Sequence, residues 1–338
     1  MNYDKLKGFR FWDTIDGEIT KSRYEGTRRD SLYPSEASAV SIDPKTGRAK
    51  IYGGCLRSSW YRLMKVEKSD PPQAKSMYVF EFGRYIENMI TDFCKKAGIY
   101  NNSSVKFWDK VSSVSGEIDI VLDLPSRDGI IHVECKSTYA GVSGSEYNGY
   151  NGLFDHYKGR GQYRKLVKGK PKEANLLQLA IYLYTHMDDE NLVGGKLIYL
   201  LRDNFMRTEF DVIVKQEADG RHHIYVNGER EERFCVESIY ERFATLRNKV
   251  VSDLKELQSG KPFSELIPIE KDFDLVYTDE KAKELYEDGE LSKTKYEKHI
   301  NREDYAGDWN CSYCDYKRYC QYDQLQAWES IKKNRRAA

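Results

Sequence analysis

Hydrophobic positions change period several times along the chain, and each change marks an element. From about Ala74 to Lys96, Phe82, Ile86, Met89, Ile90 and Phe93 recur at the spacing that lines one helix face. Lys96-Ala97-Gly98 then supplies a helix stop. A shorter helix is expected from Leu56 to Val66, opening after Gly53-Gly54-Cys55. Between Val105 and Tyr139 the period falls to two. Ile118, Ile120, Leu122 and Leu124 alternate with Glu117, Asp119, Val121 and Asp123, and Ile131, Val133 and Cys135 alternate with His132, Glu134 and Lys136. Such alternation gives strands with one apolar and one polar face. Pro125-Ser126-Arg127-Asp128-Gly129 between them has the composition of a turn.

Downstream, Ala174 to Met187 is apolar nearly all round, so a buried helix is expected. Lys196–Arg202 and Glu209–Val214 read as strands, and Val236–Leu257 as a long helix that Gly260-Lys261-Pro262 ends. Residues 141–172 are rich in Gly, Tyr, Lys and Arg without a clear period, and residues 270–308 are charge-dense, as a helical insertion would be. Residues 1–50 read as a polar N-terminal extension with little core of its own. No repeat of domain size is visible. The expected class is α/β, a mixed central sheet with flanking helices.

A chain of 338 residues holds one large decorated domain or two modest ones. Lys+Arg and Asp+Glu both total 54, so global charge does not announce a nucleic-acid partner; only segregated basic patches would. No apolar run reaches the length of a membrane span, and Met1–Arg10 lacks the apolar centre of a signal peptide. A soluble cytoplasmic protein without membrane partners is expected.

The chemistry concentrates in Gly116-Glu117-Ile118-Asp119 and Glu134-Cys135-Lys136. Residues two apart in a strand project from one face, so Glu134 and Lys136 point together, and Asp119 meets them if the strands pair. Two carboxylates of this kind suit one or two Mg²⁺ or Mn²⁺ ions, with the Cys135 carbonyl as a further oxygen ligand. Metal-bound water and a nearby lysine suit phosphodiester hydrolysis. The same residues also describe a hairpin with a solvated charged face.

Asp119, Glu134-x-Lys136 and, on the next helix, Gln178-x-x-x-Tyr182 occur in an order that resembles the RecB-like branch of the PD-(D/E)xK nuclease superfamily. The resemblance implies a restriction-endonuclease-like sheet, with Asp119, Glu134, Lys136, Gln178 and Tyr182 as its catalytic set. Relatives carry G-x-x-x-H on the first long helix; here Gly83-Arg84-Tyr85-Ile86-Glu87 puts a carboxylate at the histidine position. Carboxylate suits Mg²⁺ at least as well, so Glu87 joins the expected metal ligands, although a plain surface glutamate fits the sequence too.

Seven cysteines are unevenly placed, and Cys311, Cys314 and Cys320 form C-x2-C-x5-C, a metal-site spacing. Cys55 is the natural fourth ligand. Four thiolates suit a [4Fe–4S] cluster or structural zinc. The arrangement resembles the iron–sulfur clasp of AddB-type nucleases and CRISPR-associated RecB-like exonucleases, which favours iron–sulfur. Cys94, Cys135 and Cys235 read as packing residues.

The resemblance covers residues 51–325, leaving residues 326–338 as a basic tail. It implies a metal-dependent deoxyribonuclease, exonucleolytic on DNA ends or single strands, acting in recombination, repair or phage or CRISPR DNA processing, with a helicase or recombination partner. Lys158, Arg160, Tyr163, Arg164, Lys165, Lys168 and Lys170 in the basic segment would track DNA, or form a solvated loop. The rival from another class is a non-catalytic iron–sulfur DNA-binding scaffold.

Overall fold

Strand alternation dominates the middle of the chain, and seven strands ladder into one sheet. The computed structural model describes residues 30–43, 47–124, 129–138, 152–158, 165–202 and 205–337. In chain order these form β1 (Ser38–Ile42), β2 (Ala49–Gly53), α1 (Leu56–Leu63), α2 (Ala74–Lys96), β3 (Tyr100–Asp109), β4 (Val114–Asp123), β5 (Ile130–Thr138), β6 (His156–Lys158) and β7 (Lys165–Val167). They continue as α3 (Glu173–Thr185), β8 (Leu192–Leu201), β9 (Arg207–Gln216), β10 (His222–Val226), β11 (Glu229–Cys235) and α4 (Val236–Gln258). Last come α5 (Asp279–Glu287), α6 (Lys293–Ile300), α7 (Trp309–Ser312) and α8 (Lys317–Ala337). No helix among the described residues is long and apolar enough to cross a membrane.

The chain divides into two compact units, Met1–Gly53 with Pro72–Ala244, and Gly54–Pro71 with Thr245–Ala338. The N-terminal segment from Leu32 onward belongs to the first unit's core: Leu32, Ala37 and Ala39 are buried, and Leu32 exchanges backbone hydrogen bonds with Ser113 and Ser115. Short apolar stretches between polar turns hid that role. Gly53 ends β2 at the open end of the β1–β2 hairpin with φ 89°, where a Cβ would sit 2.1 Å from the Ala37 carbonyl oxygen, so only glycine fits.

The first unit is built on a mixed sheet of order β11-β10-β9-β8-β5-β4-β3, in which β5 and β8 run parallel and the other described pairs antiparallel. α3 packs on β8 and β9. Its Leu176, Leu177, Leu179, Ala180, Ile181 and Leu183 are all buried, which is why no polar stripe is visible in its sequence. Each such leucine or isoleucine stabilises the unit by about 1.5–3 kcal/mol. Gly195 lets the helix close in: a Cβ there would meet Leu179, Leu183 and the His132 carbonyl oxygen at 3.0–3.2 Å. On α2, Met77 and Ile86 are buried, but Phe82 is 39% and Phe93 60% exposed. The regular spacing therefore does not mark one buried stripe; α2 packs on the sheet at β3, β4 and β5 and leaves part of that face exposed.

In the second unit, Trp60 of α1 is buried, and its Nε1 donates to Asp253 Oδ2 at 2.7 Å. Residues 270–308 carry two helices. α5 and α6 enclose Ala282, Leu291 and Ala306, and Tyr286 stacks on Tyr296 at 4.7 Å. Residues 326–337 continue α8 rather than forming a tail, and buried Trp328 stacks on His299 at 4.8 Å. α8 breaks at Gln321, whose amide accepts from Leu275 N–H and donates to the Phe273 carbonyl oxygen.

Candidate functional site

The β4–β5 ladder runs from Asp123↔Ile130 to Ile120↔Val133 and stops one residue short of Asp119. Asp119 then supplies the missing acceptor itself: its Oδ2 takes the Cys135 N–H at 2.7 Å. β5 continues beyond this point against β8, with Glu134 opposite Leu197 and Lys136 opposite Tyr199. The Lys136 ammonium touches Glu134 Oε1 and donates to Gln178 Oε1 at 3.3 Å. Gln178 Nε2 donates to the Tyr182 hydroxyl at 2.8 Å, one helical turn further along α3. The structure thus brings Asp119, Glu134, Lys136, Gln178 and Tyr182 together. Tyr182 is fixed from behind by the Phe107 ring, edge-on at 5.5 Å.

Charge in this pocket is unbalanced. Glu134 is fully buried, and neither carboxylate oxygen has a hydrogen-bond partner among the described residues; Oε1 has only the ionic contact to Lys136. Burial pushes its carboxyl up to about 8, with Lys136 pulling it down and Asp119 and Glu87 repelling it. Glu87 on α2 joins the same group. Burial, then Asp119 and Glu117, push its carboxyl up to about 7 against Lys136 and Arg84. Burial also raises Asp119, opposed by Lys136 and the Cys135 N–H. For Lys136, burial opposes the charged form, but Glu134 and Asp119 outweigh it and hold the ammonium protonated. Glu117, two residues before Asp119 on β4, is a further acid within electrostatic reach of Glu87 and Asp119.

Three buried or half-buried carboxylates lie within electrostatic reach of one ammonium. They are hard oxygen donors of the type a divalent cation takes. Among the described residues their oxygens do not gather within 4.8 Å of one another, whereas the ligand atoms of Glu217, Asp219 and His223 do. Cys135 enters the site here through its N–H. Gly83 faces the end of β5, where a Cβ would only touch Ser137 Oγ at 3.5 Å.

Of the basic segment, Lys158 and Lys165 stand opposite each other at the ends of β6 and β7, while Arg160, Tyr163 and Arg164 lie outside the described residues. Lys168 is exposed and pairs with Glu229 at 3.2 Å. Lys170 lies within electrostatic reach of Glu231. These acids were not anticipated, and they dilute the positive charge of the run.

In the second unit, Cys311 lies within electrostatic reach of Cys55 and Cys314, and Cys314 of Cys320. Burial first, then neighbouring Asp272, pushes the Cys55 thiol to about 11; burial and Cys55 push Cys311 to about 12. N–H groups of Gln321, Tyr316 and Arg57 point at Cys311, Cys314 and Cys320, at 3.4, 3.4 and 3.8 Å. All seven cysteines are free thiols, with Cys235 buried and Cys94 and Cys135 half-buried.

Sequence reasoning passed over Glu217, Asp219 and His223 around the β9–β10 turn, whose ligand atoms lie within 4.8 Å of one another. Arg230 already bridges this group, to Glu217 at 3.0 Å and His223 at 3.4 Å. An ordinary ion-pair network accounts for it.

No family model matches the chain, and no curated protein matches it. A solved structure described as "Crystal structure of SSO0001" aligns with 81% of this chain and 93% of that one, at 11% identity and a TM-score of 0.35, a likeness too slight to carry an argument.

Proposed function

We propose that this chain is a divalent-metal-dependent deoxyribonuclease of the RecB-like PD-(D/E)xK type, acting in the cytoplasm on DNA ends or single strands. The supporting observation is the Glu134 carboxylate, fully buried beside Asp119 and Glu87 with a single ammonium for compensation. Three clustered carboxylates with one ammonium among them are costly to bury as anions, and a cation bound by these oxygens would offset that cost.

On this reading Glu87, Asp119, Glu134 and the Cys135 carbonyl hold Mg²⁺ or Mn²⁺. When bound, the ion would supply a water of lowered pKa and would stabilise charge on phosphoryl oxygens. Lys136 is held protonated between Glu134 and Gln178 and can donate to the water or to the developing phosphoryl anion. Gln178 and Tyr182 position that ammonium through their shared hydrogen bond. Cys55, Cys311, Cys314 and Cys320 would hold a [4Fe–4S] cluster, with zinc as the other occupant of four thiolates. The N–H groups aimed at three of the sulfurs favour thiolate. The cluster's role is structural.

The test uses anaerobically purified protein and end-labelled single- and double-stranded DNA, with Mg²⁺, Mn²⁺ or EDTA. Shortening of label-bearing strands is expected with either metal and is lost in EDTA and in Glu134→Ala. Cleavage that survives Glu134→Ala defeats the reading, and DNA binding without cleavage assigns the chain to the scaffold class.

A further inference from the structure

β5 runs two residues beyond Lys136 to Thr138, and two further cations converge there. Lys172 Nζ donates to Thr138 Oγ1 at 3.2 Å, the Arg202 backbone N–H donates to the Thr138 carbonyl oxygen at 2.8 Å, and the Arg202 guanidinium lies within electrostatic reach of the Lys172 ammonium. Thr138 and Leu201 are the last registered pair of the parallel strands, so Lys172, ahead of α3, and Arg202, just after β8, lie at the edge of the sheet formed by the C-terminal ends of these two interior strands. Tyr199 ties this edge to the site. It lies opposite Lys136, and its hydroxyl accepts from the Lys172 N–H and from Asn175 Nδ2, each at 3.0 Å.

Neither cation has a carboxylate partner among the described residues, and Arg202 Nε is buried without a hydrogen bond. Glu173, next to Lys172, is taken by Arg233 at 2.8 Å. Burial, and then Arg202, hold the Lys172 ammonium below its usual range, as expected for like charges lacking a counter-ion. The first turn of the 13-residue α3 adds its positive end to the same edge. The run Lys158–Lys170 is partly neutralised by Glu229 and Glu231, whereas this pair is not.

We propose that Lys172 and Arg202 form a phosphate subsite that grips a backbone phosphate of the nucleic-acid strand beside the one facing Lys136. A guanidinium and an ammonium suit the non-bridging oxygens of a phosphodiester. Thr138 lies two residue steps beyond Lys136 along the strand, about 6.6 Å, a span on the scale of one nucleotide of backbone. The assignment rests on the nuclease reading for which phosphate comes next, and on Lys172 and Arg202 alone for phosphate binding.

The experiment is fluorescence anisotropy with fluorescein-labelled oligothymidylate, in EDTA and again in Ca²⁺, over a range of salt. Lys172→Gln and Arg202→Gln are each expected to weaken binding roughly three- to ten-fold, and each to flatten the slope of log affinity against log salt by about 0.7. Arg202→Lys should keep the slope, because it keeps the charge, and all three melting temperatures should match the parent. One methylphosphonate linkage beside the cleaved position should weaken binding to the parent but not to Arg202→Gln. An unchanged slope in the double variant, or a parent that binds in neither condition, overturns the subsite. Adding Mg²⁺ or Mn²⁺ to the same samples separates the two readings. Binding losses without any cleavage leave the subsite standing and sink the nuclease, whereas cleavage with unchanged slopes does the reverse.

Discussion

Replacing Glu134 by Gln removes the charge that the pocket holds at greatest cost and keeps the shape. In the metal-free protein the carboxyl stands at about 8 against 4.5 in the unfolded chain. The folded state therefore binds this proton more tightly than the unfolded state does. Its contribution to stability is complete below about pH 4.5 and is lost as pH rises toward 8. At 1.36 kcal/mol per unit the full effect is roughly 5 kcal/mol, for a side chain with no exposed surface. Glu87, raised to about 7, acts in the same direction. In a unit of this size that corresponds to a fall of roughly 10 °C in melting temperature. Thermal unfolding in EDTA from pH 5 to 8 is the assay, with and without Mn²⁺. The parent should lose stability across that window, Glu134→Gln should lose much less, and the two curves should diverge most at pH 8. Mn²⁺ should restore the parent at pH 8 and do little at pH 5, because the ion binds the ionised carboxylate. Parallel curves for parent and variant, or equal Mn²⁺ stabilisation of both, refute the argument.

Lys136→Met should lower the cleavage rate by roughly 10²–10³-fold with DNA affinity within a few-fold of the parent, in single-turnover assays. Tyr182→Phe deletes one hydrogen bond to the buried Gln178 and should cost about 1 kcal/mol of stability, read as a small fall in melting temperature together with a loss of cleavage rate. Cys314→Ala should abolish visible absorbance and lower the melting temperature; a colourless parent with one bound zinc would instead identify that metal. Asp253→Ala strands the buried Trp60 N–H and should destabilise the second unit by about 1–3 kcal/mol, measured by urea unfolding.

Much of the first unit was legible. Alternation at Glu117–Asp123 and Ile131–Lys136 became β4 and β5, and the all-round apolarity of residues 174–187 became buried α3. Spacing alone brought Gln178 and Tyr182 onto one helix face, where they bond. β11 escaped notice because Glu229-Arg230-Glu231-Glu232-Arg233 is as charged as a loop. It is an edge strand, and edges carry charge to discourage further pairing. Exposed Phe82 and Phe93 show a different limit: periodicity names a helix face but not whether anything covers it. Arg202 lay beyond reach for a third reason, since only the parallel register brings it to Thr138. Trp328 sat in what read as a basic tail, and its partner His299 is remote in sequence.

The parallel pairing of β5 with β8 also sets when the site comes into being. β3, β4 and β5 pair with sequence neighbours and need only short loops to close. Lys136 meets Tyr199 only after the chain between them, including α3, has been looped back. Closing that loop costs entropy before any contact repays it, which makes such pairing slow. Asp119 and Glu134 therefore share a hairpin early, while Gln178, Tyr182, Lys172 and Arg202 arrive with the long crossover. A partly folded chain carries the two acids without the groups that hold Lys136, and during refolding activity should lag behind the formation of the β3–β5 meander.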